Sequence, residues 1–229
     1  MTGRRLFTVA EMTLRELLRR RAVIGLLLLL PLAFYLIRRD EYVGQSVRSL
    51  FLGIGWAVST AALFSTIGAR SIEPRLRMAG YRPYELYLGR LGGLWTLGVL
   101  LAAPFLLLVR LDVAGLNYGA VALAMLCVLV VAAPFGMLIA SLLPREMEGT
   151  LLLLTAVALQ MIIDPATTIA KATPFWSSRE IGTYAVDHMS SDYLVRGLMH
   201  GAVVTMLLLA LVATVSSVRL RRRTHLRRA

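Results

Sequence analysis

Six apolar runs, each bracketed by charged residues, limit what this chain is able to fold into more than any other feature. They cover residues 22–37, 49–69, 91–109, about 118–143, 149–163 and 197–218. A helix of about 20 residues crosses the ~30 Å of hydrocarbon in a bilayer, and only helices and closed barrels satisfy their backbone polar groups in lipid. The chain is 58% hydrophobic and 17% charged, which is typical of a membrane protein. The sequence therefore predicts one all-α transmembrane domain over residues 1–229 with six spans, of which the first and fifth are short.

The basic residues predict how these spans are oriented. With a cytoplasmic N-terminus, six spans place 18 of the 25 basic residues, and the whole net charge of +12, on the cytoplasmic side. Lys and Arg accumulate in the cytoplasmic segments of membrane proteins, whereas five or seven spans place a strongly basic terminus outside. Both termini are therefore predicted to be cytoplasmic. Because the arginines lie at the ends of apolar runs and not on a hydrophilic domain, nucleic acid is not predicted as a partner.

The segment before the first span is predicted to form an amphipathic helix over residues 6–21. Thr8 and Glu11 have the spacing of a capping box, and Glu11–Arg15 and Glu16–Arg20 are i,i+4 pairs in the favourable order. Such a helix lies along the inner membrane surface with its apolar side toward lipid, and the alternative is a plain cytoplasmic extension of the first span. The predicted apolar face consists of Leu6, Phe7, Ala10, Leu14, Leu17 and Leu18.

A charged insert, SIEPRLRMAGYRPYELYLGRLGG, separates the second and third apolar runs. Pro74 is suited to the first turn of a short helix, and Gly80 to its left-handed end. Pro83 then begins a second helix that continues into the third span, with Glu85 in its first turn, where a negative charge suits the helix dipole. The first helix is too short to be stable alone, so we expect it to be docked on the rest of the chain.

The residue types exclude several kinds of activity. No H-E-x-x-H motif is present, and the one cysteine, Cys127, lies inside an apolar run, so we predict no catalytic residues and no metal site. The spans carry no ionisable residue at mid-depth, as ion-coupled transporters usually require. The one lysine, Lys171, lies outside any phosphate-binding loop of the form G-x-x-x-x-G-K-[ST]. The chain is therefore predicted to be a permease and not an enzyme, and its energy to come from a separate ATPase that contacts the insert.

The order of these parts resembles the membrane subunit of an ABC-2 type exporter, a half of a type V ABC transporter. The resemblance covers most of the chain: the amphipathic helix, the insert, ASLLPREMEGTLLLL between spans four and five, and DPATTIAKATPFWSSREIGTYAVD between spans five and six. It implies a plasma-membrane protein of a prokaryote, working as two permeases with two ATPase subunits. ATP and Mg are then bound by the partner ATPase, and this chain carries no cofactor.

The resemblance also implies roles for particular residues. The insert corresponds to a coupling helix that lies in a groove of the ATPase, and residues 144–148 to a second, smaller cytoplasmic contact. Of the family's charged motif at the insert, Glu73 alone carries over. The implied contacts with the ATPase are Glu73, Arg75, Arg77, Met78, Tyr81, Arg145 and Glu146.

The segment after the fifth span is implied to fold back as short re-entrant helices at the outer face. Asp164 and Pro165 form a natural break in the fifth run, and Phe175 and Trp176 suit a plug at the membrane interface. The alternative is a solvated outer loop of about thirty residues.

The second span is rich in small residues, which allow helices to approach closely in lipid. The resemblance implies that spans two and five line the translocation path between two copies of the chain, and packing within one chain is the alternative. The residues assigned to that path or dimer interface are Gly53, Gly55, Ser59, Thr60 and Gln160.

The function expected from these observations is ATP-driven export of an amphiphilic substrate, which is lipid-like, drug-like or a peptide. Three alternatives stay open on the sequence. They are a haem-export-type permease of cytochrome c maturation, a secondary transporter that does not use ATP, and a membrane assembly factor without transport activity.

Overall fold

Long apolar runs with few helix-breaking residues form a bundle of α-helices. A computed structural model of the chain describes residues 2–40, 42–143, 145–164 and 167–222, and within these ranges it contains no β-strand. The helices are α1 (Thr2–Arg19), α2 (Arg21–Leu36), α3 (Val43–Gly68), α4 (Glu73–Met78), α5 (Pro83–Asp112), α6 (Tyr118–Leu142), α7 (Glu146–Ile162), α8 (Thr168–Lys171), α9 (Trp176–Asp187) and α10 (Ser191–Arg222). A single 3₁₀ turn, Ala69–Ser71, follows α3.

The centre of the bundle is α3, which packs against α2, α5, α6, α7 and α9. Its small residues explain this position, because they let neighbouring backbones approach. A Cβ atom at Gly136 of α6 would lie 2.0 Å from the carbonyl oxygen of Ser59, and the Ser59 hydroxyl donates a 3.0 Å hydrogen bond to the Ala132 carbonyl. The contact between α3 and α6 is therefore a backbone-to-backbone contact that depends on glycine.

The bundle has two ends, which we name after the short helices that lie there. At the α4 end, Arg70 after α3 donates to the Leu143 carbonyl after α6 at 3.1 Å. At the α9 end, Arg48 near the start of α3 forms an ion pair with Asp187, and the Asn117 amide before α6 donates to the Ala185 carbonyl at 3.1 Å. The helices α3, α5 and α6 each run from one of these ends to the other.

Four helices are long and apolar enough to cross a membrane: those containing Val43–Ser71, Pro83–Asp112, Tyr118–Leu142 and Ser191–Ser216. The predicted first and fifth spans correspond to α2 and α7, which have 16 and 17 residues and fall below that length. The second helix of the insert and the third span are one continuous helix from Pro83, as predicted. The prediction of an all-helical membrane protein is confirmed at this coarser level.

The N-terminal helix differs from its prediction in where it begins and which face it buries. It begins at Thr2, so the capping box is wrong: the Thr8 hydroxyl donates to the Arg4 carbonyl inside the helix at 2.9 Å. Val9, Thr13 and Leu17 are buried and α1 packs on α5, while Phe7, on the face predicted to meet lipid, is exposed. The helix therefore has a third face, which contacts protein and which a division into apolar and polar sides did not predict.

The two predicted ion pairs on α1 are confirmed. The carboxylate of Glu11 lies 2.5 Å from the Arg15 guanidinium, and that of Glu16 lies 3.1 Å from Arg20. Both pairs are largely exposed, so each contributes at most about 0.5 kcal/mol to helix stability. Their main effect is to keep this side of the helix polar.

Candidate functional site

The insert between α3 and α5 folds into a short helix with a defined end. Gly80 has φ +85°, the Tyr81 amide donates to the Leu76 carbonyl at 3.1 Å, and the Gly80 amide donates to the Arg77 carbonyl at 3.0 Å. These two bonds are the Schellman arrangement that ends many helices. The left-handed end predicted at Gly80 and the second helix predicted from Pro83 are both confirmed.

Arg5 of α1 fastens the turn that follows α4. Its guanidinium donates a 2.7 Å hydrogen bond to the Gly80 carbonyl, lies 3.6 Å from the Glu85 carboxylate and stands 5.5 Å from the centre of the Tyr81 ring. Glu85 is buried, and its other contact is a 2.8 Å bond from the Arg82 amide at the start of α5. One arginine thus joins α1, the insert and α5.

A second ionic contact holds α4 itself. Arg90, which is buried in α5, donates to the Glu73 carboxylate at 3.1 Å. Charges this shielded from water are costly unless paired, so loss of either partner is strongly destabilising. The expectation that the short helix is docked on the bundle is therefore confirmed, and its anchor is this pair.

Three other side chains of α4 protrude from the bundle. Arg75 and Arg77 are exposed, and Met78 has 72% of its side chain exposed. Residues 145–148 lie at the same α4 end, where Arg145 and Glu146 are exposed and Met147 is 78% exposed. Large apolar side chains that protrude beside charges are typical of a surface that another protein covers.

Close packing brings α1 onto α5. A Cβ atom at Gly93 would lie 2.6 Å from the Ala10 carbonyl oxygen, and one at Gly89 would lie 2.6 Å from the Cβ atom of Val9. A groove of about 490 Å³ remains between α1 and the insert, lined in part by Arg15, Arg19, Arg20, Ile72 and Leu76.

The predicted partner-contact residues therefore divide into two groups. Glu73 and Tyr81 face the protein, where they bind Arg90 and Arg5. The outward-facing residues are Arg75, Arg77, Met78, Arg145 and Glu146. The anchoring residues Arg5 and Arg90 were not singled out from the sequence, although an arginine inside the apolar continuation of α5 was a usable signal for a buried ion pair.

Replacing Arg5 with alanine is expected to loosen the insert. A hydrogen bond to a charged group contributes about 1.5–3 kcal/mol, and the partial exposure of Arg5 places its contribution near the lower end. A loss of about 1.4 kcal/mol raises the population of the opened insert about tenfold. Limited trypsin digestion of the purified protein measures this as faster cleavage after Arg75 and Arg77.

The matched control for this experiment is Arg4→Ala, since Arg4 is exposed on the same helix. Equal cleavage rates in the Arg5 and Arg4 variants would show that the Arg5 contacts do not hold the insert in place.

The segment after α7 folds back into the bundle. Phe175 has 1% of its side chain exposed, lies edge-on to Phe135 with ring centres 6.0 Å apart, and approaches within 3.0 Å of a Cβ position at Gly55. Gly55 lies roughly 18 Å along α3 from its first residue, at 1.5 Å per residue. The segment therefore descends to about the middle of α3, and the alternative of a solvated outer loop is wrong for the described residues.

Gln160 has a different position from the one assigned to it. Its side-chain oxygen accepts a 3.2 Å hydrogen bond from the Phe175 amide, which lies outside any helix and is buried. Non-helical backbone at depth requires such a partner. Trp176 is 8% exposed and packs on the ring of His200, so Phe175 and Trp176 are both buried within the chain. Asp164 is exposed, and Pro165 lies outside the described residues.

The small residues of α3 face the chain's own interior. A Cβ atom at Gly53 would lie 2.6 Å from the Pro31 Cα atom of α2, while Ser59 and Thr60 are buried. Within the chain, Gly53, Gly55 and Ser59 serve packing with α2, α6 and Phe175, and their assignment to a path or dimer interface stays a prediction. Small residues allow close approach both by a helix of the same chain and by a helix of a second copy, so the sequence alone did not distinguish these two uses.

No family model matches the chain, and no curated protein matches it. Among the described residues there is also no group of three or more His, Cys, Asp or Glu side chains placed to hold a metal ion. The features available for inferring function are therefore the anchored insert at the α4 end and the folded-back segment at the α9 end.

Proposed function

We propose that this chain is the permease subunit of an ATP-driven exporter of the ABC-2 type, acting as a dimer with a separate ATPase. The observation that carries the proposal is the insert, which is fixed to the bundle by Arg5 and Arg90 and presents Arg75, Arg77 and Met78 outward. A loop that merely joined two spans would not need buried ionic anchors. An ATPase that moves during its cycle requires a surface of this kind, since a flexible loop would absorb the motion.

The anchors also define where a force on α4 would go. Through Glu73 and Arg90 it reaches α5, which continues without interruption from Pro83 to Asp112. Through Gly80 and Arg5 it reaches α1, which packs on the same helix. A displacement of the insert would therefore act on the third span and on the N-terminal helix together.

We further propose that the chain crosses the membrane six times. The helix α6 ends at the α4 end, whereas α9 lies at the α9 end, and the helix that joins these two ends is α7. In the same way α2 joins α1, which packs near the start of α5, to the start of α3. Helices of 16 and 17 residues are about 24–26 Å long, close to the ~30 Å of hydrocarbon, and flanking arginines make up the difference by snorkelling.

Cysteine labelling tests the crossing by α7. Met147, in the first turn of α7, and Met189, just after α9, are both exposed and lie at opposite ends of the bundle, so each is replaced by cysteine after Cys127→Ala. In intact cells a membrane-impermeant maleimide is expected to label position 189, and position 147 only after permeabilisation. Labelling of both positions in intact cells would contradict a crossing by α7.

The same topology places the α4 end, both termini and the net positive charge in the cytoplasm of a prokaryotic cell. Of the two spans that the family resemblance assigns to the path, α3 is 78% buried within the chain, whereas α7 exposes a row of apolar residues. If two copies form a path for an amphiphile, α7 is the span that faces it. The exposed large apolar residues of α7 after its first turn are Leu151, Leu152, Leu154, Leu159, Met161 and Ile162.

Purification of the chain from its native membrane in a mild detergent tests the motor-driven mechanism. A second chain that contains a G-x-x-x-x-G-K-[ST] loop and hydrolyses ATP is expected to co-purify. A stable assembly that transports substrate without any nucleotide-binding chain would overturn the proposal.

A further inference from the structure

A cavity of about 550 Å³ opens at the α9 end, and its lining is unusually basic. Arg38 comes from the turn after α2, Arg48 from the first turns of α3, and Arg179 from α9. One carboxylate, that of Asp187, is among the described lining residues. Three separate elements thus direct guanidinium groups to one recess, at the end of the bundle opposite the basic insert.

The carboxylate in this cavity is already engaged. Asp187 forms an ion pair with Arg48, whose Nη2 atom also lies 3.5 Å from the Thr183 hydroxyl. The Nε atom of Arg48 is buried without a hydrogen-bond partner among the described residues. Arg38 and Arg179 have no ion-pair partner there either, although both are half-buried. A buried donor or charge that lacks a partner carries a free-energy cost, which a bound anion would remove.

The environment of Arg179 also favours a bound anion in this cavity. Burial, together with the neighbouring positive charge of Arg48, lowers the pKa of the Arg179 guanidinium, and Glu180 and Asp164 offset this only in part. Two like charges that face one recess repel each other, and an anion placed between them is attracted by both. The planar fork of donors on arginine matches the oxygen atoms of phosphate.

The size and position of the cavity suit a phosphate group with a small organic substituent. Pockets for small molecules have volumes of ~300–1,000 Å³, and this one falls within that range. Its floor contains Gln160, the residue that binds the Phe175 amide, so an occupant would contact the folded-back segment directly. We propose that this cavity binds a phosphate group, supplied either by a lipid headgroup or by free phosphate, between Arg38, Arg48 and Arg179. The proposal does not depend on the export function.

Titration of the purified full-length chain in an uncharged detergent tests this site. Isothermal titration calorimetry uses two probes, inorganic phosphate and the soluble lipid dihexanoyl phosphatidic acid. The test variant is Arg38→Gln/Arg179→Gln, which keeps the Arg48–Asp187 ion pair and so leaves α9 fastened. The control variant is Arg110→Gln/Lys171→Gln, which removes the same charge from exposed residues at the same end that do not line the cavity.

We expect the test variant to weaken binding of the better probe at least tenfold and the control variant to change it less than twofold. Comparable affinity for the two probes identifies the phosphate group alone as the recognised chemistry, whereas binding of the lipid alone identifies a headgroup site. Failure of the unchanged protein to bind either probe would overturn the proposal. An equal loss of affinity in the two variants would do so as well, because it would indicate a general effect of charge.

Discussion

Reversing the charges of Arg75 and Arg77 is expected to abolish coupling between ATP hydrolysis and transport while the permease remains folded. Both side chains are exposed on α4, which is held to α5 by the Glu73–Arg90 pair. Arg75 does not line the recess that contains this pair, so its reversal leaves the anchor intact, whereas Arg77 lies one turn after Glu73 and lines that recess. Unfavourable charges across an interface cost several kcal/mol. The double change Arg75→Glu/Arg77→Glu should therefore weaken association with the ATPase at least tenfold, which corresponds to about 1.4 kcal/mol.

Substrate-stimulated ATPase activity of the reconstituted complex measures this effect. Arg77 lines a small recess together with Glu73, so a glutamate at position 77 would also repel Glu73. The single change Arg75→Glu avoids that repulsion and therefore tests the interface alone. The control Arg110→Glu/Lys171→Glu reverses two exposed charges at the opposite end of the bundle. Normal stimulated activity in the test variant, or equal loss in the control, would show that α4 is not the coupling contact.

Among the glycines that the structure describes, Gly136 is the one where alanine is expected to be most destabilising. The new Cβ atom would lie 2.0 Å from the Ser59 carbonyl oxygen and 2.7 Å from its carbonyl carbon, both of which belong to the backbone of the central helix. No side-chain rotation relieves that overlap, so α3 and α6 must separate. Overpacking of this kind costs about 1–3 kcal/mol or more, which exceeds the gain of about 1 kcal/mol in helix propensity from glycine to alanine.

The control is Gly25→Ala in α2, where a Cβ atom would meet nothing within 4 Å. The thermal unfolding midpoint of the detergent-solubilised protein should fall for Gly136→Ala and stay unchanged or rise for Gly25→Ala. A Gly136 variant that is as stable as the unchanged protein would mean that α3 and α6 are not in the described contact.

The parts of the fold that the sequence predicted correctly are those decided by local chemistry. Pro83 begins a helix and Gly80 ends one because backbone conformation at these residues depends on the residue itself and its neighbours. The i,i+4 pairs of α1 formed for the same reason. Apolar run length likewise identified the four helices long enough to cross a membrane.

The contacts that fasten the candidate site were not predictable in this way. Arg5 and Gly80 are 75 residues apart in sequence, and nothing in the pattern around Arg5 distinguishes it from the exposed Arg4. Charge counting assigned both residues to the same cytoplasmic excess. The pairing follows from the packing of α1 on α5 at Gly89 and Gly93, which is a property of the folded chain.

The folded-back segment illustrates a second limit. Its aromatic residues suited a membrane interface by composition, yet Phe175 is held inside the bundle because Gly55 leaves space for its ring and Gln160 satisfies its amide. Each of these partners had been given another role from its own helix. The hydrogen bond from the Phe175 amide to Gln160 joins two different segments, so it is recognisable only in the folded chain.

Site-specific photo-crosslinking tests the central claim most directly. Met78, exposed on α4, is replaced by p-benzoylphenylalanine in cells that make the natural partners, and Met189 at the opposite end serves as the matched position. We predict that irradiation joins position 78, and not position 189, to a chain that carries a G-x-x-x-x-G-K-[ST] loop and hydrolyses ATP. Absence of such a chain from the adducts at position 78, or its equal capture at position 189, would contradict the account of the insert as a docking surface for an ATPase.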